Sequence, residues 1–147
     1  MTVLIGASTM ETICGHARAT YPDECCGALI GRAGRAPADD RRVVAAFPLE
    51  NEAVDGRHRR FVISGRQHLA CERLAAQLGL DVVGFYHSHP DHPPVPSFVD
   101  RALGWPWYCF LIAEVGRDEV GPIRAWMLPD DRSEFSELDF CITGKVE

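Results

Sequence analysis

The residues best suited to chemistry are His87-Ser88-His89 and, after ten intervening residues, Asp100. The histidines follow Val82-Val83-Gly84-Phe85, an apolar run that reads as a buried strand. Successive side chains on a strand point to opposite faces, so His87 and His89 share a face and can reach one metal ion. Ser88 points the other way. Pro90, Pro93, Pro94 and Pro96 then force a stiff, non-helical excursion, because each fixes its φ and lacks a backbone donor. Ser97 is placed to cap a short helix whose first turn carries Asp100, a carboxylate third ligand. Two histidines and a carboxylate leave a fourth tetrahedral position for water, the arrangement of a catalytic zinc site rather than a structural one. A single histidine is usually a surface or core residue. Here the whole spacing would have to be accidental for that reading to hold.

The run His87-Ser88-His89-Pro90, with Pro96-Ser97 and Asp100 beyond it, resembles the JAMM motif of the JAB/MPN metalloprotease family. That family also carries an upstream glutamate in a Pro-x-Glu-x-Cys-Gly-like segment, which this chain matches as Pro22-Asp23-Glu24-Cys25-Cys26-Gly27. The resemblance runs from the first helix to about Val115. It implies zinc held by His87, His89 and Asp100, Glu24 as the proton-shuttling base, and Ser97 steadying the oxyanion. Without it, Glu24 reads as an ordinary exposed glutamate where a helix hands over to a strand. Ser97 has a competing role as the cap of its own helix. His92 is the strongest rival ligand, but the family pattern does not require it, and its proline-rich loop places it at the mouth of the site or in solvent. Cys25 and Cys26 flank the base, and core packing explains Cys26 better than nucleophilic catalysis does.

The elements that must position these groups can be read along the chain. Thr2 to Ile5 is a short apolar strand or lead-in. Ser8-Thr9-Met10-Glu11 fits a capping box for a helix reaching about Thr20, with Met10, Ile13, Cys14 and Ala17 on one face. Pro22 stops it. Cys26 to Arg32 and Arg41 to Leu49 read as strands, with Gly31 and Gly34 marking a turn. Glu50 to Arg60 is polar and charged and reads as a solvated surface loop rather than a docking patch. Phe61-Val62-Ile63 reads as a short strand. Ser64 with Gln67 gives a second capping box, and Leu69, Leu74 and Leu78 mark an amphipathic helix ending at Gly79, with His68 at its surface or boundary. After Asp100 a short helix is broken by Gly104 and Pro106. Strands follow over Trp107 to Val115, Ile123 to Leu128 and Phe135 to Ile142. This order suits an α+β or α/β domain with a curved mixed sheet flanked by helices. The resemblance implies the MPN fold, a partly barrelled sheet with a helix on either side.

At 147 residues and 46% hydrophobic content, the chain suits one domain over residues 1–147 with one core. A net charge of -6 argues against a general nucleic-acid binder, which needs a basic face. Six cysteines lack the spacing of a disulfide framework and include no Cys-x-x-Cys pair. No signal peptide or membrane-length apolar run is seen, so a reduced, cytoplasmic protein is expected.

Relatives with this motif hydrolyse peptide or isopeptide bonds after the C-terminal Gly-Gly of ubiquitin or ubiquitin-like proteins. The chain is similar to small stand-alone bacterial and archaeal members, which implies a ubiquitin-like sulfur carrier as partner and release of a cysteine or another C-terminal adduct. Two rivals are a metal-free binding module of the same fold, which the intact Glu24, His87, His89 and Asp100 set opposes, and a DNA-repair-associated relative, which the acidic balance opposes. A zinc nucleoside deaminase would need His-x-Glu and Pro-Cys-x-x-Cys, and neither is present.

Overall fold

The computed structural model describes residues 1–34, 36, 39–97, 100 and 105–144. Among these the chain forms β1 (Thr2–Gly6), α1 (Ala7–Thr20), β2 (Cys26–Ala33), β3 (Arg41–Leu49) and α2 (Gly65–Gln77). It continues with β4 (Asp81–Pro90), β5 (Cys109–Val115), β6 (Val120–Met127) and β7 (Ser136–Thr143). In space the strands run β1-β3-β2-β4-β5-β6-β7, and β7 pairs back to β1 to close the sheet on itself. β1 is parallel to β3 and β7, and β4 is parallel to β5, while the other pairs are antiparallel. The result is the α+β architecture expected, a curved mixed sheet with helices packed on it.

Two apolar clusters hold it together. Met10, Ile13 and Ala17 of α1 pack with Val3, Ile5, Leu29 and Val43, while Cys71 and Ala75 of α2 pack with Ala28, Ile30, Val82 and Phe85. Each fully buried aliphatic side chain of this size contributes roughly 1.5–3 kcal/mol. Gly27 is required by close approach, since the Tyr86 ring occupies the space its Cβ would need. The ring thereby clamps β4 onto β2 just before His87.

Several local expectations are corrected. Ser8 does not cap α1. β1 runs straight into the helix, so the N-cap is Gly6 without a side-chain bond, and Ser8 lies inside the first turn. Gly31 marks no turn; it lies within β2 at an irregularity in the pairing with β3, and the connection falls later. Phe61-Val62-Ile63 is not a strand. It lies outside the sheet, and the Asn51 side chain satisfies the Val62 N–H that a ladder would otherwise take. The capping box at Ser64 and Gln67 forms as expected. However, α2 turns Leu69 (51%) and Leu74 (48%) to solvent, as its C-cap Leu78 (58%) also does, and buries Cys71 and Ala75 instead. Small residues let the helix approach the sheet closely. Trp107 precedes β5 in a turn, with φ 82°. The short helix broken at Gly104 lies outside the described residues apart from Asp100 itself.

Candidate metal centre

The pairing of β2 with β4 sets Cys26 opposite His87, and continuing that register brings Cys25 to Ser88 and Glu24 to His89. Two hydrogen bonds extend the pairing: Cys25 N–H donates to Ser88 Oγ (2.8 Å), and Ser88 N–H donates to the Cys25 carbonyl (3.1 Å). The strand's alternation then divides the neighbours. Phe85 and His87 line a cavity beside the start of α2, while Tyr86 joins the α1 cluster and its hydroxyl meets His16 Nδ1 at 2.7 Å.

Asp100 arrives from the other side of the proline-rich excursion. That excursion is pinned twice: His89 Nδ1 lies 2.7 Å from the Pro93 carbonyl, and Trp126 Nε1 donates to the Pro94 carbonyl at 3.0 Å. Ser97 and Asp100 make reciprocal bonds, Asp100 N–H to Ser97 Oγ (3.0 Å) and Ser97 N–H to Asp100 Oδ2 (2.9 Å). The cap role read for Ser97 is thus formed, and it fixes the carboxylate.

His87, His89 and Asp100 are brought together in a buried group. The separations are 3.2 Å between the two Nε2 atoms, 3.3 Å from His87 Nε2 to Asp100 Oδ1 and 3.0 Å from His89 Nε2 to Asp100 Oδ2. A tetrahedral zinc with bonds of about 2.0–2.1 Å places neighbouring ligand atoms about 3.3 Å apart, so the triangle has the right size. Its chemistry fits as well. A carbonyl only accepts, so His89 Nδ1 carries the proton toward Pro93, and the bare lone pair of Nε2 faces a carboxylate. Lone pairs converging in a buried space need a cation between them. His87 Nε2 points into the same space, and its Nδ1 is buried with no hydrogen-bond partner among the described residues. Burial alone would raise the Asp100 pKa, but the adjoining His87 and His89 rings and the Ser97 N–H outweigh it and hold the carboxyl well below the usual range.

Glu24 is not the exposed glutamate its local sequence suggests. It is 1% exposed, and its Oε1 has no hydrogen-bond partner among the described residues. Burial pushes its pKa up to about 8; the neighbouring His89 opposes this and Asp100 adds to it. Glu24, His89 and His92 form a second possible ligand group, with one donor atom of each within 4.8 Å of the others. A gap of about that size is bridged by one water making two hydrogen bonds of about 2.8 Å. His92 is half-buried and stacks on His89 at 4.2 Å between ring centroids. It flanks the buried triad. Cys25 and Cys26 are pushed up to about 11 and about 12 by burial, which leaves protonated, inert thiols.

The cavity beside the triad measures about 250 Å³ and is walled by Phe61, Phe85, Trp105 and Phe110, with His87 and Asp100 at one end. Phe61 stacks on His87 at 4.4 Å. The sequence gives little warning of Phe61, or of Asn51, which is buried between two glutamates in what looks like a solvated loop. An apolar triplet closing a polar loop was the available sign for Phe61. Asn51 carried none.

Residues 6–129 match the family of prokaryotic homologs of the JAB domain. The chain belongs to that family. A desampylase of Haloferax volcanii is 36% identical over 113 residues, covering 74% of this chain and 77% of that protein. Among solved structures, protein DSY2949 of Desulfitobacterium hafniense superposes with a TM-score of 0.83 at 27% identity, covering 99% of this chain and 95% of that one. The JAB1/MPN domain protein AF2198 of Archaeoglobus fulgidus shares the fold, with a TM-score of 0.57 at 20% identity over 97% of this chain and all (100%) of that one. The chain is a hydrolase of the JAMM type. No helix among the described residues is long and apolar enough to cross a membrane.

Proposed function

We propose that this protein is a zinc-dependent peptidase or isopeptidase, cutting after the C-terminal Gly-Gly of a ubiquitin-like or sulfur-carrier protein. The observation that carries the reading is the meeting of His87, His89 and Asp100 beside the buried carboxyl of Glu24. The likeness to a desampylase supports a protein modifier as substrate. Residues 1–147 act as one catalytic domain, and six free thiols agree with a reducing, cytoplasmic setting.

His87, His89 and Asp100 would hold the zinc, which when bound would lower the pKa of a water towards neutrality and polarise the scissile carbonyl. Glu24 takes the proton of the attacking water and passes it to the leaving amine. Ser97 Oγ accepts the Asp100 N–H, which leaves its own hydrogen to donate to the oxyanion. The apolar cavity excludes water and takes the residues next to the scissile bond, and the segment 61–63 offers an extended wall for the tail.

The test is cleavage of a carrier protein bearing an adduct on its C-terminal Gly-Gly. Wild type should release the adduct, and Glu24→Gln should not. An uncut adduct with zinc-loaded wild type, or equal cleavage by both proteins, would remove this reading.

A further inference from the structure

The loop between β3 and α2 holds Glu24 in place, and one residue does most of the holding. Asn51 is buried and makes four hydrogen bonds. Its Nδ2 donates to the Glu24 carbonyl (3.0 Å) and to the Arg60 carbonyl (3.0 Å). Its Oδ1 accepts from Ala53 N–H (3.0 Å) and Val62 N–H (3.1 Å). A side-chain amide has two donors and two acceptor lone pairs, so all four are used. Aspartate lacks the donors, and serine supplies one donor on a shorter arm.

The loop reaches Glu24 a second time. Glu24 N–H donates to the Arg57 carbonyl at 2.7 Å, and Arg57 Nε donates back to the Ala53 carbonyl at 2.8 Å. Both main-chain polar groups of Glu24 therefore end on residues 51–57, outside any strand ladder. Glu24 Oε1 has no hydrogen-bond partner among the described residues, so the hydrogen bonds that fix this residue are those of its backbone. Val62, on the cavity wall, is tied to the same node through its N–H to Asn51 and through its carbonyl, which accepts Glu52 N–H at 3.0 Å. None of the four Asn51 bonds goes to His87, His89 or Asp100.

We propose that Asn51 is the positioning residue for Glu24, locking the base and the Val62 wall of the cavity into one unit while leaving the triad untouched. The proposal rests on the reading of Glu24 as the base. Seating of the substrate against the wall and placement of the base are then mechanically linked.

Asn51→Asp is the informative variant, because it keeps both acceptors and loses both donors. With a Gly-Gly-tailed adduct, kcat should fall by about 30- to 100-fold, the scale of loss expected for a base misplaced by about 1 Å. KM should stay within about threefold, because the bond to Val62 survives, and zinc content should be unchanged. In a Glu24→Gln background the same substitution should lower kcat by less than about twofold, since it acts through a group already removed. Equal losses in both backgrounds would overturn the proposal.

A second measurement needs no activity. In Asn51→Ala, hydrogen exchange at the Glu24 and Val62 amides should quicken at least about tenfold while β4 keeps its protection. Unchanged exchange at those amides, or uniform loosening of the sheet, would overturn it. If wild type cleaves no tailed adduct, the functional reading falls, and the exchange result still decides whether Asn51 is the node.

Discussion

The two halves of the site are held by different means. His87 and His89 ride on β4, a ten-residue strand (Asp81–Pro90) paired on one side to β2 and on the other to β5. Glu24 lies in no ladder, between the end of α1 and the start of β2, and its main chain is tied by the 51–57 loop. The contrast suits their proposed tasks. Ligands must keep fixed separations to hold a cation, and a sheet interior supplies that rigidity. A base must sit one water away from the same point, and short bonds from a loop are enough to aim it.

The largest effect separates the halves outright. His89→Ala should lower cleavage of the tailed adduct at least about 10⁴-fold, because it removes a ligand and with it the zinc chemistry. More than a tenth of the activity remaining would place the metal elsewhere. Glu24→Gln should lower kcat about 10²- to 10⁴-fold while zinc stays bound, the range for loss of a general base. Zinc lost along with activity would mean that Glu24 belongs to the ligand half.

Phe61 touches both halves, closing the loop and stacking on His87. Phe61→Ala should raise KM roughly tenfold, about 1.4 kcal/mol of binding, and move kcat by less than about threefold in steady-state kinetics. A kcat collapse with unchanged KM would show the ring to be orienting His87 instead. The smallest effect belongs to Ser97→Ala, which removes the cap on Asp100 and should cost about 1 kcal/mol of stability. It should lower Tm by a few degrees and weaken zinc retention in a chelator competition. A kcat loss with Tm unchanged would favour the oxyanion role over the cap.

Legibility in the sequence followed the same division. The β3 boundaries, the α2 capping box, and His87 and His89 on one face could be read because period-two alternation and local cap chemistry are written in adjacent residues. Glu24 is legible only through the family pattern, since its place depends on a loop that begins 27 residues further along the chain. Asn51 was hidden for the same reason: a polar residue between Glu50 and Glu52 looks solvated until four backbone groups are brought round it. The exposed face of α2 shows a different limit. Leu69, Leu74 and Leu78 looked like the buried stripe, but the sheet beneath has room for Cys71 and Ala75. Hydrophobic periodicity finds a helix, and close packing chooses its face.

On the proposed function, zinc is held by the β4 half and not by Glu24. Metal analysis of four purified proteins after zinc supplementation tests it most directly: wild type, Glu24→Gln, His87→Ala and Asp100→Ala. About one zinc per chain is expected in the first two and essentially none in the last two. Zinc-free wild type, or full zinc retained by His87→Ala and Asp100→Ala, would contradict it.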